Sequence, residues 1–139
     1  MPLGDPGGGD FEYTEEGLPR CVFMVEVQSA DIDRSIAFYN GLLGMDVVFK
    51  DGAEAVVRRE RAVIRIRKGG AFGDTGVFLG VDDPYALHRR LIDEGVAFVR
   101  DPMRGSMGVS TSFLDPDGNI LHAIETKAEP RPPTCHDVL

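Results

Sequence analysis

One order of secondary-structure signals runs through this chain twice. "CVFMVEVQ" (21–28) is short, apolar and β-branched, hence a strand. "DIDRSIAFYNGLLG" (31–44) opens on an aspartate suited to capping. It carries Ile32, Ile36, Tyr39 and Leu43 at helical spacing and closes at Gly44. "MDVVFK", "AEAVVRR" and "RAVIRIRK" follow as three strands, with tight turns at Asp51-Gly52 and near Glu60. The order then restarts. "TGVFLGV" (75–81) reads as a strand, and "DDPYALHRRLIDEG" (82–95) as a helix with Pro84 in its first turn and Gly95 after it. "VAFVRD" (96–101) is a strand, and a loop, "PMRGSMG", leads to the strands "VSTSFLD" and "NILHAIET". In both "LLGMDVVFKDG" (42–52) and "LIDEGVAFVRD" (91–101) a helix end passes through glycine into an apolar strand. Two such βαβββ modules predict an α+β fold in which curved sheets carry helices outside and enclose a cup inside.

Composition sets the limits. The chain has 139 residues, which favours one domain able to bury about two-thirds of its unfolded surface without a staple. A net charge of −8 argues against nucleic acid or an anionic membrane as partner. Cys21 and Cys135 form no CxxC, so neither a disulfide framework nor a zinc motif reads out. No basic region precedes an apolar run at the N-terminus, and no apolar run approaches the roughly 20 residues of a membrane span; a cytoplasmic protein is expected. Residues 1–19 (Gly, Pro and acid) and 127–139 (proline-rich) read as flexible segments. Between them lies a single domain over 20–126, built of modules 20–68 and 75–126.

"VEVQSADIDRSIAFYNGLLGMDVV", "GVAFVRDP" and "FLDPDGNILHAIE" together resemble the vicinal oxygen chelate superfamily. That group includes glyoxalase I, methylmalonyl-CoA epimerase, extradiol dioxygenases, fosfomycin-modifying enzymes and bleomycin-resistance proteins. The resemblance covers about residues 21–126. It implies the glyoxalase/bleomycin-resistance/dioxygenase fold and a homodimer, with the modules pairing either within one chain or between two. In metal-dependent members four strand positions supply ligands, and the resemblance carries these onto Met24, Arg65, Gly76 and His122. A thioether suits hard or borderline divalent ions poorly, arginine cannot ligate, and glycine has no side chain. His122 is therefore the only ligand-position candidate, and no metal or other cofactor is expected. A rearranged site in which Glu26 adds a carboxylate is the alternative.

Strand alternation assigns the faces. Met24 and Glu26, then Val63, Arg65 and Arg67, then Phe78, then Ile120, His122 and Ile124 fall on the cup side. Ala62, Ile64, Ile66, Leu121 and Ala123 turn to the helices. An apolar concavity with a few convergent polar groups is what a small-molecule site looks like, and arginine forks suit a carboxylate or phosphate. Plainer readings compete. Arg65 and Glu26 are expected to pair with each other, the other arginines of the 57–68 hairpin to form a solvated face, and His88 to lie on a helix surface. His122 reads either as a hydrogen-bonded filler or as a ligand contact, and Phe78 either as core or as a stacking platform. "KGGAFGDTG" lacks the strand–loop–helix context of a phosphate loop. The leading reading is a metal-independent small-molecule binding protein with an anionic ligand. The alternative is a lyase, isomerase or dioxygenase using His122 and Glu26 as acid and base, and a purely structural dimeric partner follows if the cup is filled.

Overall fold

The duplication reappears in the hydrogen bonding of the two halves. The structure, a computed structural model, describes residues 17–126; the expectations for 1–16 and 127–139 lie outside the described residues. The first half is β1 (Val25–Ser29), α1 (Ile32–Gly41), β2 (Asp46–Lys50), β3 (Glu54–Arg59) and β4 (Ala62–Lys68). The second is β5 (Asp74–Val81), α2 (Pro84–Asp93), β6 (Phe98–Gly105), β7 (Gly108–Leu114) and β8 (Ile120–Glu125). Each half folds into its own four-stranded sheet, ordered β1-β4-β3-β2 and β5-β8-β7-β6. In each sheet the first strand lies parallel to the last, and the remaining pairs are antiparallel.

Local chemistry explains the repeat. Asp31 and Asp83 cap their helices, accepting from the backbone N–H of Arg34 at 3.2 Å and of Tyr85 at 3.0 Å. Gly44 and Gly95 follow the helices with φ of 68° and 85°, a conformation that glycine adopts without penalty. Two details differ from the sequence reading. The first strand begins at Val25 rather than Cys21. β6 continues to Gly105 through the stretch expected as a loop and pairs across Gly105 and Gly108. Pro102 is tolerated there because β6 is an edge strand whose register with β7 slips on either side of Arg100.

The inward faces merge into one core. Ala55, Val57, Ile64 and Ile66 from the first sheet meet Val77, Phe113, Leu121 and Ala123 from the second, with Phe38 and Tyr39 of α1 and Leu91 of α2 between them. Phe38 touches Phe113 across the modules at a ring separation of 6.3 Å. The β7–β8 turn, Asp115 to Asn119, fixes the same junction with polar bonds. Asp115 Oδ2 accepts from Tyr39 Oη at 2.8 Å and from Asn119 Nδ2 at 2.9 Å, while its Oδ1 accepts from the backbone N–H of Asp117 and Asn119. Asn119 Nδ2 also donates to the carbonyl of Gln28 in β1. Asp117 accepts from the Ala30 N–H, from Arg34 Nη2 at 2.6 Å and from Ser35 Oγ, placing a carboxylate at the N-terminus of α1. Burial, followed by the charge of Asp115, pushes the Tyr39 phenol well above the ordinary tyrosine range.

Tyr39→Phe removes one buried donor and is expected to cost about 1–3 kcal/mol. Asp115→Ala strands the phenol, the Asn119 amide and two backbone N–H groups at once and is expected to cost more than 3 kcal/mol. Urea denaturation of both variants checks this. Equal stability of Asp115→Ala and wild type would show that the turn does not hold the modules together.

Candidate functional site

The outward faces of the two sheets carry the side chains assigned to a cup. In β1, Val27 and Ser29 are buried and Glu26 is exposed; in β4, Ile64 and Ile66 are buried while Arg65 and Arg67 point the other way. The alternation expected from sequence therefore sets the register, except that Val63 is itself buried. Arg65 donates through Nε to Glu54 Oε1 at 2.7 Å and lies 3.8 Å from Glu26 Oε1; Arg67 lies 3.9 Å from the same oxygen. The expected Arg65–Glu26 pair is present but loose. Glu54, a diagonal neighbour across the β3–β4 ladder, is the closer partner. Two guanidiniums thus face two carboxylates, and at this exposure such pairs contribute little to stability.

A second group forms on the other sheet. Phe78, His122 and Ser112 are direct cross-strand neighbours on β5, β8 and β7. His122 Nδ1 lies 2.7 Å from Ser112 Oγ, and His122 Nε2 lies 2.8 Å from Asp74 Oδ1, which also accepts from the Gly76 N–H. The Phe78 ring stacks on the imidazole at 4.5 Å and 16°. Ile120 and Ile124, two residues either side of His122, are half-buried on the same face. An ionised Asp74 can only accept, so Nε2 carries the proton in that contact, and Nδ1 accepts from Ser112 when the ring is neutral. The hydrogen bond from His122, then that from the Gly76 backbone, holds the Asp74 carboxyl below its ordinary range.

The two groups stay apart within one chain. No hydrogen bond or ion pair among the described residues joins Glu26, Arg65 or Arg67 to His122; the partners of His122 are Asp74 and Ser112. Of the residues expected in the cup, Met24, Val63 and Phe78 instead line a crevice of about 660 Å³, which also reaches the end of α1 and the outer turn of α2. His88, expected on the surface, packs edge-on against Phe98 and sits 3.3 Å from Asp101 without the alignment of a hydrogen bond.

The donor set does not suit a divalent metal. Met24, Arg65 and Gly76 offer nothing suitable, both ring nitrogens of His122 are engaged, and no three His, Cys, Asp or Glu side chains among the described residues cluster. Three residues of these groups went unread in the sequence. Asp74 shares strand parity with Gly76 and Phe78 and would have been found by starting β5 one residue earlier. Ser112 and Glu54 depend on strand pairing, which no single-strand pattern reveals.

The model of the Glyoxalase/Bleomycin resistance protein/Dioxygenase superfamily matches residues 21–123. A lactoylglutathione lyase from Haemophilus influenzae is 30% identical over 119 residues, covering 70% of this chain and 87% of that protein. The crystal structure of a lactoylglutathione lyase from Agrobacterium tumefaciens superposes with a TM-score of 0.69 at 18% identity, covering 79% of this chain and 96% of that one. TnmS3, an antibiotic binding protein from a Streptomyces species, does so with a TM-score of 0.62 at 20% identity, covering 77% and 98%. At these identities the two structures speak to the fold alone, and no helix among the described residues is long and apolar enough to cross a membrane.

The Asp74–His122 contact has a pH signature. A carboxyl held below its unfolded value of 3.8 favours the folded state above that pH, and the contribution disappears as pH falls through the lowered folded value. Carboxyl ¹³C NMR titration is expected to give Asp74 a midpoint below that of an ordinary aspartate and, in His122→Ala, a midpoint returned towards it. Identical midpoints in the two proteins would mean that the contact is not made in solution.

Proposed function

The chain belongs to the glyoxalase/bleomycin resistance protein/dioxygenase superfamily, and from that premise we propose that it is a small-molecule binding protein that works without a metal. The observation carrying this reading is the state of His122. It is the one side chain at a family ligand position able to coordinate, and both its nitrogens are committed to Ser112 and Asp74. A metal would have to displace one of them and then find its remaining ligands among a thioether, a guanidinium and a glycine. The antibiotic binding protein among the structural neighbours gives a precedent for binding on this fold.

The ligand in this reading carries a carboxylate or phosphate. In the cup, Arg65 and Arg67 already face Glu54 and Glu26, so an anion there must displace a glutamate. The working unit is a homodimer. Its support is the separation of the two cup groups within one chain, together with exposed apolar residues on β2 and β6 and in the β6–β7 turn: Val48, Phe49, Val99, Met103 and Met107. A second reading, an enzyme of the superfamily, is favoured by the lactoylglutathione lyase relatives and by the hydrogen-bonded chain Ser112–His122–Asp74, which could pass a proton. In it Asp74 takes the role expected of Glu26.

Thermal-shift screening with aromatic acids, CoA esters and phosphorylated antibiotics tests the binding reading. A ligand at about 100 times its Kd is expected to raise Tm on the order of 10 °C, unchanged after dialysis against a chelator. Stabilisation that appears only on adding a divalent metal, or lactoylglutathione turnover restored by one, would overturn metal independence.

A further inference from the structure

The crevice between β1 and β5 adjoins the cup, sharing Met24 and Phe78 with it, but reaches none of Glu26, Arg65, Arg67 or His122, and its charged lining is different. Both strands are sheet edges, and the ends of both helices close the space between them. We propose that this crevice binds a planar aromatic monocarboxylate, a reading that rests on the small-molecule function above and names the ligand class and its place.

Size is the first argument. A volume of about 660 Å³ falls in the range of sites for drug-sized molecules, roughly 300–1,000 Å³.

The wall is the second argument. Phe78 lines the crevice and is 59% exposed, yet its ring is held against the imidazole of His122 at 4.5 Å. That imidazole is pinned by Ser112 and Asp74. Gly76, with open space where a side chain would stand, leaves bare backbone beside Phe78 on the same strand face, whereas the Thr126 side chain covers Gly80 on the other side. A ring fixed in this way can stack on a second ring with little further loss of rotamer freedom. Met24 and Met45, which also line the crevice, have polarisable sulfurs that adapt to aromatic surfaces.

Charge is the third argument. Arg59, at the end of β3, and Arg90, in the last turn of α2, line the crevice. Neither is paired with a carboxylate among the described residues; Arg59 donates at 3.3 Å to the carbonyl of Gly44. Arg65 and Arg67, by contrast, already face glutamates. Favourable placement at a helix C-terminus accounts for Arg90. The bond to Gly44, just past α1, engages one nitrogen of the Arg59 fork and leaves its other donors without a carboxylate among the described residues. Glu60 and Asp82 also line the space and penalise a dianion, which selects a single carboxylate over a phosphate.

Calorimetric titration of the full chain with 2-naphthoate, and with its neutral analogue 2-naphthamide, tests the assignment. Saturable binding of 2-naphthoate is expected. Phe78→Leu should weaken it about 2- to 10-fold and Arg90→Gln about 10- to 100-fold, with 2-naphthamide losing as much as Arg90→Gln. Arg89→Gln, which removes the same charge from an exposed neighbour on α2 that does not line the crevice, should stay within about twofold. All of these side chains are at least partly exposed, and circular dichroism melts verify that each variant folds. No binding by wild type at millimolar 2-naphthoate overturns the crevice assignment while leaving the wider binding reading to the ligand screen. So does a loss confined to a further variant, Arg65→Met, which would put the anion in the cup.

Discussion

The carboxylate of Asp115 is the contact on which the rest of the structure depends. It belongs to the second module but receives the phenol of Tyr39 from the first, and it orders its own turn by accepting from Asp117 and Asn119. Asn119 and Asp117 then reach Gln28, Ala30, Arg34 and Ser35. A turn of five residues thereby holds the end of β1 and the start of α1. A buried carboxylate is tolerated only when its lone pairs are filled, so this network is satisfied together or not at all. It gives the junction a single geometry, which the apolar contact of Phe38 with Phe113 would not do alone.

That geometry decides which surfaces are left open. With α1 and α2 packed against the inner faces, the opposite faces of both sheets remain available. One presents a neutralised cluster, Glu26, Glu54, Arg65 and Arg67. The other presents an imidazole locked between an exposed carboxylate and a buried hydroxyl. Internal partners quench both groups, so any ligand there competes with side chains already in place. The crevice differs because two of its arginines, Arg59 and Arg90, lack such carboxylate partners among the described residues, which supports the proposal of an anion there in a chain of net charge −8.

The duplication, the helix caps and the strand faces were legible in the sequence because each follows from spacing within one segment. Asp31 and Asp83 precede periodic apolar runs, and Ile64 and Ile66 alternate with Arg65 and Arg67. The extent of β6 was not legible, because Pro102 and the glycines after it imitate a loop and only an edge position lets them pair. The site was legible in part. His122 and its outward face could be read, but Asp74 was hidden in a glycine-rich linker, and Ser112 and Glu54 needed the pairing of separate strands.

The sequence by itself determined which side of each strand an amino acid occupies, since period-two geometry and the cost of burying arginine leave one arrangement. The family motifs and the weakness of Met24, Arg65 and Gly76 as ligands were equally fixed by residue identity. Only the tertiary structure decided which polar groups meet. Arg65 meets Glu54 more closely than Glu26, His122 meets Asp74 and not Glu26, and Phe78 divides the crevice from the imidazole. The reason is that hydrogen bonds act over about 3 Å, whereas the partners lie 11 to 48 residues apart along the chain. Their encounter is set by strand register and module packing, which one-dimensional spacing does not encode.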